Sequence, residues 1–472
     1  MISINKNIQS EILMTTMEEL VPEDSIFRKI DKYIDFTFIY DEVKDLYCKN
    51  NGRPSIDPVV LFKIVFIQAL DGIKSMRQTC KKIKVDAEYR WFLGIPFGQD
   101  TPHFSTFGKN YERRFKDTDI FEKIFINIVK QAIQYKLVDG TTFYTDSTHK
   151  KANANKNKFN DCIIQNTKQR RKWLEEEINE ERIKQGKKPF EFKEEKEEKH
   201  IKVSTTDKES GYYHRDNKEK GFMYLDHRTV DDKCNIIVDC YITKGNVHDS
   251  EPFIKRAEYI RNTFNFTIKK YAVDSGYLTL DIKKYFIDNN IFGVFGYRRY
   301  GTPESRQEKN KYEYVKELDI YYEKGTGEVL EYNGLIDRNG YKKYENIDKT
   351  KIQRRHIHEE WNEQFKENRL SKEGKELYQK RKEHVERSFA DSKQNHGYRY
   401  AMYKGIQKNQ NYTWLICAAQ NMKNISIKKD NIDRKYTNIY LFIQKTAKLI
   451  KNIFKKLYKK TSRKKSRGFS TA

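Results

Sequence analysis

Three stretches put a carboxylate in a well-defined element, where it could hold a divalent cation. Phe143-Tyr144-Thr145-Asp146 reads as a short strand that breaks into the polar and basic run Ser147-Thr148-His149-Lys150-Lys151-Ala152-Asn153. Tyr271-Ala272-Val273-Asp274-Ser275-Gly276-Tyr277 has the same form, and Tyr378 to Phe389 carries Glu386 on a helical pattern. Transfer of a phosphodiester needs a nucleophile activated on one side and a leaving oxygen stabilised on the other. Two divalent ions about 3.5–4 Å apart do both. Mg²⁺, or Mn²⁺, prefers carboxylate and water oxygens and takes few protein ligands. Asp146, Asp274 and Glu386 from three separate elements would therefore suffice. Asp226 and Asp239 also lie near strands and are open alternatives on physical grounds.

The helix carrying Glu386 adds to the pattern. Glu386 and Lys393 are seven residues apart and share a face, with Ala390 between them. Val385 and Phe389 mark the adjoining apolar face. A carboxylate for metal and a lysine for phosphate on one stripe suit a surface beside DNA. Lys150 and Lys151, just after Asp146, are candidate phosphate contacts, a solvated basic turn being the alternative. His149 and His248 read as hydrogen-bonded structural histidines.

The elements that must position these residues follow from local signals. Residues 1–125 read as a helical N-terminal DNA-binding domain, a helical bundle serving only as a scaffold being the alternative. Asp57-Pro58 starts a buried helix over Val59 to Leu70, and further helices are expected over Ser75–Ile83, over Ala87–Leu93 ending at Gly94, and from Thr101-Pro102. From 140 the order is strand, long excursion, two strands forming a hairpin at Asp231-Asp232, then helix, strand, helix, strand. Antiparallel strands followed by alternating strands and helices match a mixed α/β sheet. The charged stretch at about 157–200 reads as a solvated helical excursion, and residues 300–370 as an inserted subdomain. Helices are expected from about Ser371 to Gln394 and over Asn409–Ile425. The catalytic domain spans 140–428, and a basic tail 434–472.

Composition narrows the partners. The 472 residues carry a formal net charge of +25, from 93 basic and 68 acidic side chains. Charge of that size attracts polyanions, DNA or RNA above all. No acidic residue follows Asp433, whereas Arg434 to Arg467 includes 13 Lys or Arg. Ile443, Ala447, Ile450, Phe454 and Leu457 recur there at helical spacing, giving a basic amphipathic helix. The six cysteines form no Cys-x-x-Cys pair, which argues against a zinc finger or disulfide framework. With no signal-peptide pattern and no apolar run of spanning length, a soluble cytoplasmic protein is expected. No P-loop pattern points to ATP.

Taken in combination, five pieces carry a family resemblance. They are Gly52-Arg53-Pro54-Ser55-Ile56-Asp57-Pro58, Tyr89-Arg90-Trp91-Phe92-Leu93-Gly94, Asp146-Ser147-Thr148-His149-Lys150-Lys151-Ala152-Asn153, Gly245-Asn246-Val247-His248-Asp249-Ser250, and Tyr378-x-x-Arg381-x-x-x-x-Glu386. The sequence resembles a DDE transposase of a bacterial insertion sequence. That resemblance implies an InsH-type helical N-terminal domain and an RNase H-like DDE catalytic domain, a mixed sheet flanked by helices. It places the acid triad on Asp146, Asp274 and Glu386, with two Mg²⁺ or Mn²⁺ ions, and puts Tyr378, Arg381 and Lys393 near the terminal phosphates. It implies binding of terminal inverted repeats, end cleavage, strand transfer into target DNA, and a homodimer in a synaptic complex, nucleoid-associated when bound. A catalytically inactive DNA-binding derivative and a related nuclease that cuts without joining are the alternatives. Relatives often carry a cysteine cluster in the insertion before the last helix, and residues 300–370 have no cysteine.

Overall fold

The computed structural model describes residues 2, 14–48, 55–167, 170–214, 219–298, 308 and 310–467, with 452–467 as backbone alone. Gly52, Arg53 and Pro54 lie outside the described residues, as do the side chains of Phe454 and Leu457. Two compact units emerge: Met1–Val138 with Asn395–Gly397 and Trp414–Ala472, and Asp139–Gln394 with Tyr398–Thr413.

The first unit is helical. Its early helices are α1 (Met17–Leu20), α2 (Ile26–Tyr33), α3 (Phe38–Val43), α4 (Pro58–Leu70), α5 (Met76–Ile83), α6 (Ala87–Leu93), α7 (Ser105–Asn110) and α8 (Ile120–Gln134). The capping signals act as their chemistry requires. Asp57 Oδ1 accepts the Val59 N–H at 2.7 Å, Pro58 occupies the first turn, and Ser75 and Asp86 cap α5 and α6. Gly94 ends α6 at φ +66°, a conformation that costs glycine little. The helix expected from Thr101 begins instead at Ser105. Nine residues of α4 are buried, among them Phe62 and Phe66, so this apolar-all-round helix forms the middle of the unit. Gly72 (φ +59°) lies so close to Asn395 O that an added Cβ would sit 2.7 Å from it, while His396 Nδ1 lies 2.8 Å from Ala69 O.

A mixed sheet forms the centre of the second unit. Its strands are β1 (Thr142–Lys151), β4 (Gly211–Tyr213), β5 (Gly221–Asp231), β6 (Ile237–Lys244), β7 (Lys270–Val273) and β8 (Phe292–Phe295). β5 is antiparallel to β1 and carries β4 and β6 along its outer edge. β7 and β8 continue in parallel on the other side of β1. The two parallel connections run through α10 (Phe253–Phe264) and α11 (Leu280–Asp288). This is the mixed α/β sheet that the strand order predicts.

The excursion differs from the expected helical one. It is an antiparallel ribbon, β2 (Phe159–Thr167) with β3 (Lys196–Ser204), carrying α9 (Lys172–Lys184). Charge density masked the strands, because Ile163 and Ile164 are both exposed and leave no inside–outside alternation. Leu174 and Ile178 of α9 pack against Ile336, which explains the apolar spacing of an otherwise charged helix. Ile336 ends a strand of the insertion, a five-stranded antiparallel sheet of β9 (Tyr312–Val315), β10 (Ile320–Glu323), β11 (Val329–Ile336), β12 (Tyr341–Glu345) and β13 (Ile352–His356). Tyr312, Tyr321, Leu330 and Tyr344 give this sheet its own small core.

The final helix runs unbroken over Ile406–Arg467. The charge change at Asp433 leaves its backbone unaffected, since Lys and Arg are good helix formers. Ile443 and Ile450, on the expected apolar face, are exposed. Among the described residues, no helix is long and apolar enough to cross a membrane.

Candidate active site

Strand register brings the first two acids together. β1 pairs with β7 from Thr142↔Lys270 to Thr145↔Val273. Asp146 and Asp274 are the next residues on each strand, so they leave the pairing at the same level. Neighbouring strands lie about 4.8 Å apart, which makes the two carboxylates neighbours. Gly296, joined to the end of β7 by a 3.0 Å bond to Val273 O, leaves no room for a side chain: an added Cβ would lie 2.9 Å from Asp274 Oδ1 and 2.6 Å from the Tyr378 hydroxyl. Tyr378 Oη donates to Asp274 Oδ1 at 3.3 Å.

The third acid comes from a helical run over residues 372–395, as the sequence predicts, but with a π-helical turn at Lys382–Glu386. In an α-helix, residues five apart point about 140° away from each other. The wider π turn brings Arg381 and Glu386 to one side. Arg381 then donates through Nη1 to Asp146 Oδ2 at 2.6 Å and through Nη2 to Glu386 Oε1 at 2.9 Å. One guanidinium thus holds two of the three candidate acids. His384, within the turn, lies 2.7 Å from Lys380 O through Nδ1 and 2.8 Å from Asp232 O through Nε2, with its ring 4.6 Å from that of Tyr144.

A fourth carboxylate joins the site. Ser147 Oγ donates to Asp249 Oδ1 at 2.6 Å. Tyr277 is fully buried, and its hydroxyl is pushed far up, first by burial and then by the charges of Asp146, Asp249 and Asp274. Asp249 belongs to the Gly245–Ser250 motif and is absent from the acids that the sequence singles out. Its sequence signal was that motif, whereas its place beside Ser147 depends on the loop after β6.

Asp146 is pushed up to about 6. Burial is the main cause and the Asp274 charge adds to it, while Arg381 and the Ser147 N–H oppose. A carboxyl raised on folding penalises the fold once it ionises. The penalty is absent below the unfolded value near 3.9, grows as pH rises, and is complete above about 6. That rise corresponds to at most about 3 kcal/mol. Asp146→Asn is therefore expected to raise the melting temperature in EDTA at pH 8 and to leave it nearly unchanged at pH 4. Equal effects at both pH values would remove the charge argument.

The other predicted residues separate clearly. Lys393 Nζ donates to Thr148 Oγ1 at 2.6 Å, two residues past Asp146 along β1, and burial, then the Arg228 charge, holds it below the ordinary lysine range. Lys151 pairs with Glu219 at 2.7 Å and is partly exposed. Lys150 is fully buried, its ammonium 4.1 Å from the centre of the Tyr398 ring, so it has no surface to offer a phosphate. Alternation along β1 is the reason: Lys150 and Lys151 point to opposite faces. Asp226 is bound by Arg228, and Asp239 by both nitrogens of the Arg256 fork, so each open alternative is an ion-paired structural acid. His149 Nε2 lies 3.1 Å from Gly245 O, with its ring tilted against that of Tyr213, and His248 bonds Ser250, the structural roles expected of both.

Carboxylate oxygens are the donors that a hard divalent cation takes, and in this structure the Arg381 guanidinium occupies the space between those of Asp146 and Glu386. Among the described residues, no three His, Cys, Asp or Glu side chains stand close enough to enclose an ion.

Comparison with known proteins agrees with the resemblance seen in the sequence. Residues 15–113 match the family described as a transposase domain (DUF772), and residues 341–426 match the transposase DDE domain. The second match spans Tyr378, Arg381, Glu386 and Lys393. The two together are consistent with a DDE transposase of an insertion sequence. No curated protein matches the chain. Among solved structures, a piggyBac transposase synaptic complex with hairpin DNA aligns over 88% of this chain and 74% of its own, at 10% identity and a TM-score of 0.33.

Proposed function

We propose that this chain is a DDE transposase that binds the terminal repeats of its element, cleaves at the ends and joins the freed 3′ hydroxyl to target DNA. The observation that carries this reading is the flush placement of Asp146 and Asp274, each one residue past the last paired position of parallel strands β1 and β7, with Glu386 tied to Asp146 through Arg381. Asp146, Asp274 and Glu386 would hold two Mg²⁺ or Mn²⁺ ions, and Asp249 lies within reach of the same site. Such ions, when bound, activate the attacking oxygen and stabilise the leaving one.

The chain's own residues do the rest. Arg381 neutralises Asp146 and Glu386 while nothing else compensates their charge, and would turn its fork to a phosphate oxygen once something does. Tyr378 orients Asp274. Lys393 and Lys151 flank the carboxylates and are the proposed backbone contacts, together with Arg381 and Tyr378. Lys150 holds β1 against Tyr398 instead. Two DNA ends call for two active sites, hence a homodimer in the synaptic complex.

The test is a nicking and joining assay on DNA carrying the element's ends. With Mg²⁺ the protein should nick at the end and form strand-transfer joints, and Asp274→Ala should abolish both while still binding the DNA. Nicks without joints would make it a nuclease. Cleavage by Asp274→Ala would remove the triad.

A further inference from the structure

A cleft of about 940 Å³ lies within the second unit. Its walls are α9, the end of β8, the insertion sheet and the helix Glu359–Leu370. Nine lysine or arginine side chains line it against three glutamates, one of which, Glu175, is gripped by both arms of Arg170. Arg171 pairs with Asp281 at 2.8 Å, and basic side chains still outnumber acidic ones along the lining.

Two features mark the cleft as a binding site. Lys283 is only 6% exposed, and its ammonium donates to the neutral Asn362 Oδ1. Burial lowers its basicity, with Glu359 opposing. Asn362 Nδ2 in turn donates to Glu359 Oε2 at 2.9 Å, so this ammonium sits in a polar network at the cleft wall, an enclosed charge that a bound phosphate would compensate further. Tyr297 is 61% exposed at the rim, with the Arg369 guanidinium 5.0 Å from its ring centre. An exposed aromatic ring backed by arginine is a platform for a nucleobase. Tyr297 follows Gly296, the residue packed against Asp274, so the cleft opens beside the proposed catalytic acids.

We infer that this cleft receives a short unpaired DNA segment adjoining the scissile phosphate, its phosphates facing Lys283, Arg338 and Arg354 and a base stacked on Tyr297. Volumes of ~300–1,000 Å³ enclose a drug-sized ligand, which admits a few nucleotides of one strand and excludes a duplex. This inference rests on the proposed action on DNA ends.

Its test needs no catalysis. In EDTA, the full-length protein is titrated with a blunt duplex and with the same duplex bearing an oligothymidine overhang. The overhang should bind about tenfold tighter, in keeping with the strength of one base–aromatic stack. Tyr297→Ala combined with Arg369→Ala should erase that preference and leave blunt-duplex affinity within about twofold. Lys283→Met should weaken the overhang complex alone. Equal affinity of the wild type for both probes, or a preference that survives the double substitution, overturns the inference. Failure of the transposase reading would appear separately, as cleavage that does not depend on Asp274.

Discussion

Glu386→Gln is expected to lower Mg²⁺-dependent nicking by about 10³-fold or more, with duplex affinity unchanged within about twofold. Losing roughly 4 kcal/mol of transition-state stabilisation gives that factor, and it is the scale on which a bound metal acts. The side chain is 44% exposed, and the bond it makes to Arg381 can be kept by the glutamine amide oxygen. The fold should therefore hold, with a stability change within about 0.5 kcal/mol. Only the charge is lost. Activity within about tenfold of the wild type would place Glu386 outside the chemistry and leave Asp249 as the third acid to examine.

Arg228→Ala should cost about 3–5 kcal/mol of stability, measured by urea unfolding. Arg228 and Asp226 are fully buried on β5 and pair at 2.9 Å. The same guanidinium donates to Ser388 Oγ at 3.1 Å and Ser392 Oγ at 2.7 Å. It therefore fastens the turn after Glu386 to the strand opposite Asp146, with which it is in register. Truncation strands the Asp226 charge in the core. Replacing both partners by apolar residues, Arg228→Met with Asp226→Leu, should recover most of the loss, since a buried pair is seldom worth more than good packing. A loss below about 1 kcal/mol from the single change would mean that Val385 and Phe389 alone hold the helix.

Arg228 also marks a limit of pattern reading. Gly221 to Thr229 was recognisable as a strand, yet nothing local distinguishes an arginine buried against two serines 160 residues away from one facing water. Asp226 looked like a candidate ligand for the same reason. Lys150 and Lys151 looked equivalent as neighbours in a basic run, and the pleat of β1 separated them.

The sequence by itself determined the local terms. Caps at Asp57, Ser75 and Asp86 start helices because their side chains satisfy backbone N–H groups within three residues. Strand patterns placed Asp146 and Asp274 at the ends of buried runs, and the 372–395 helix put Glu386 beside a lysine. Only the tertiary structure decided what those acids meet. Their flush register comes from pairing strands more than a hundred residues apart. The π turn that aims Arg381 at both Asp146 and Glu386 has no local signature, because an α-helical turn would satisfy the same sequence. Asp249 and Gly296 enter the site through close approaches between distant segments. Those contacts are set by packing across the sheet, a sum over the whole unit that no single stretch contains.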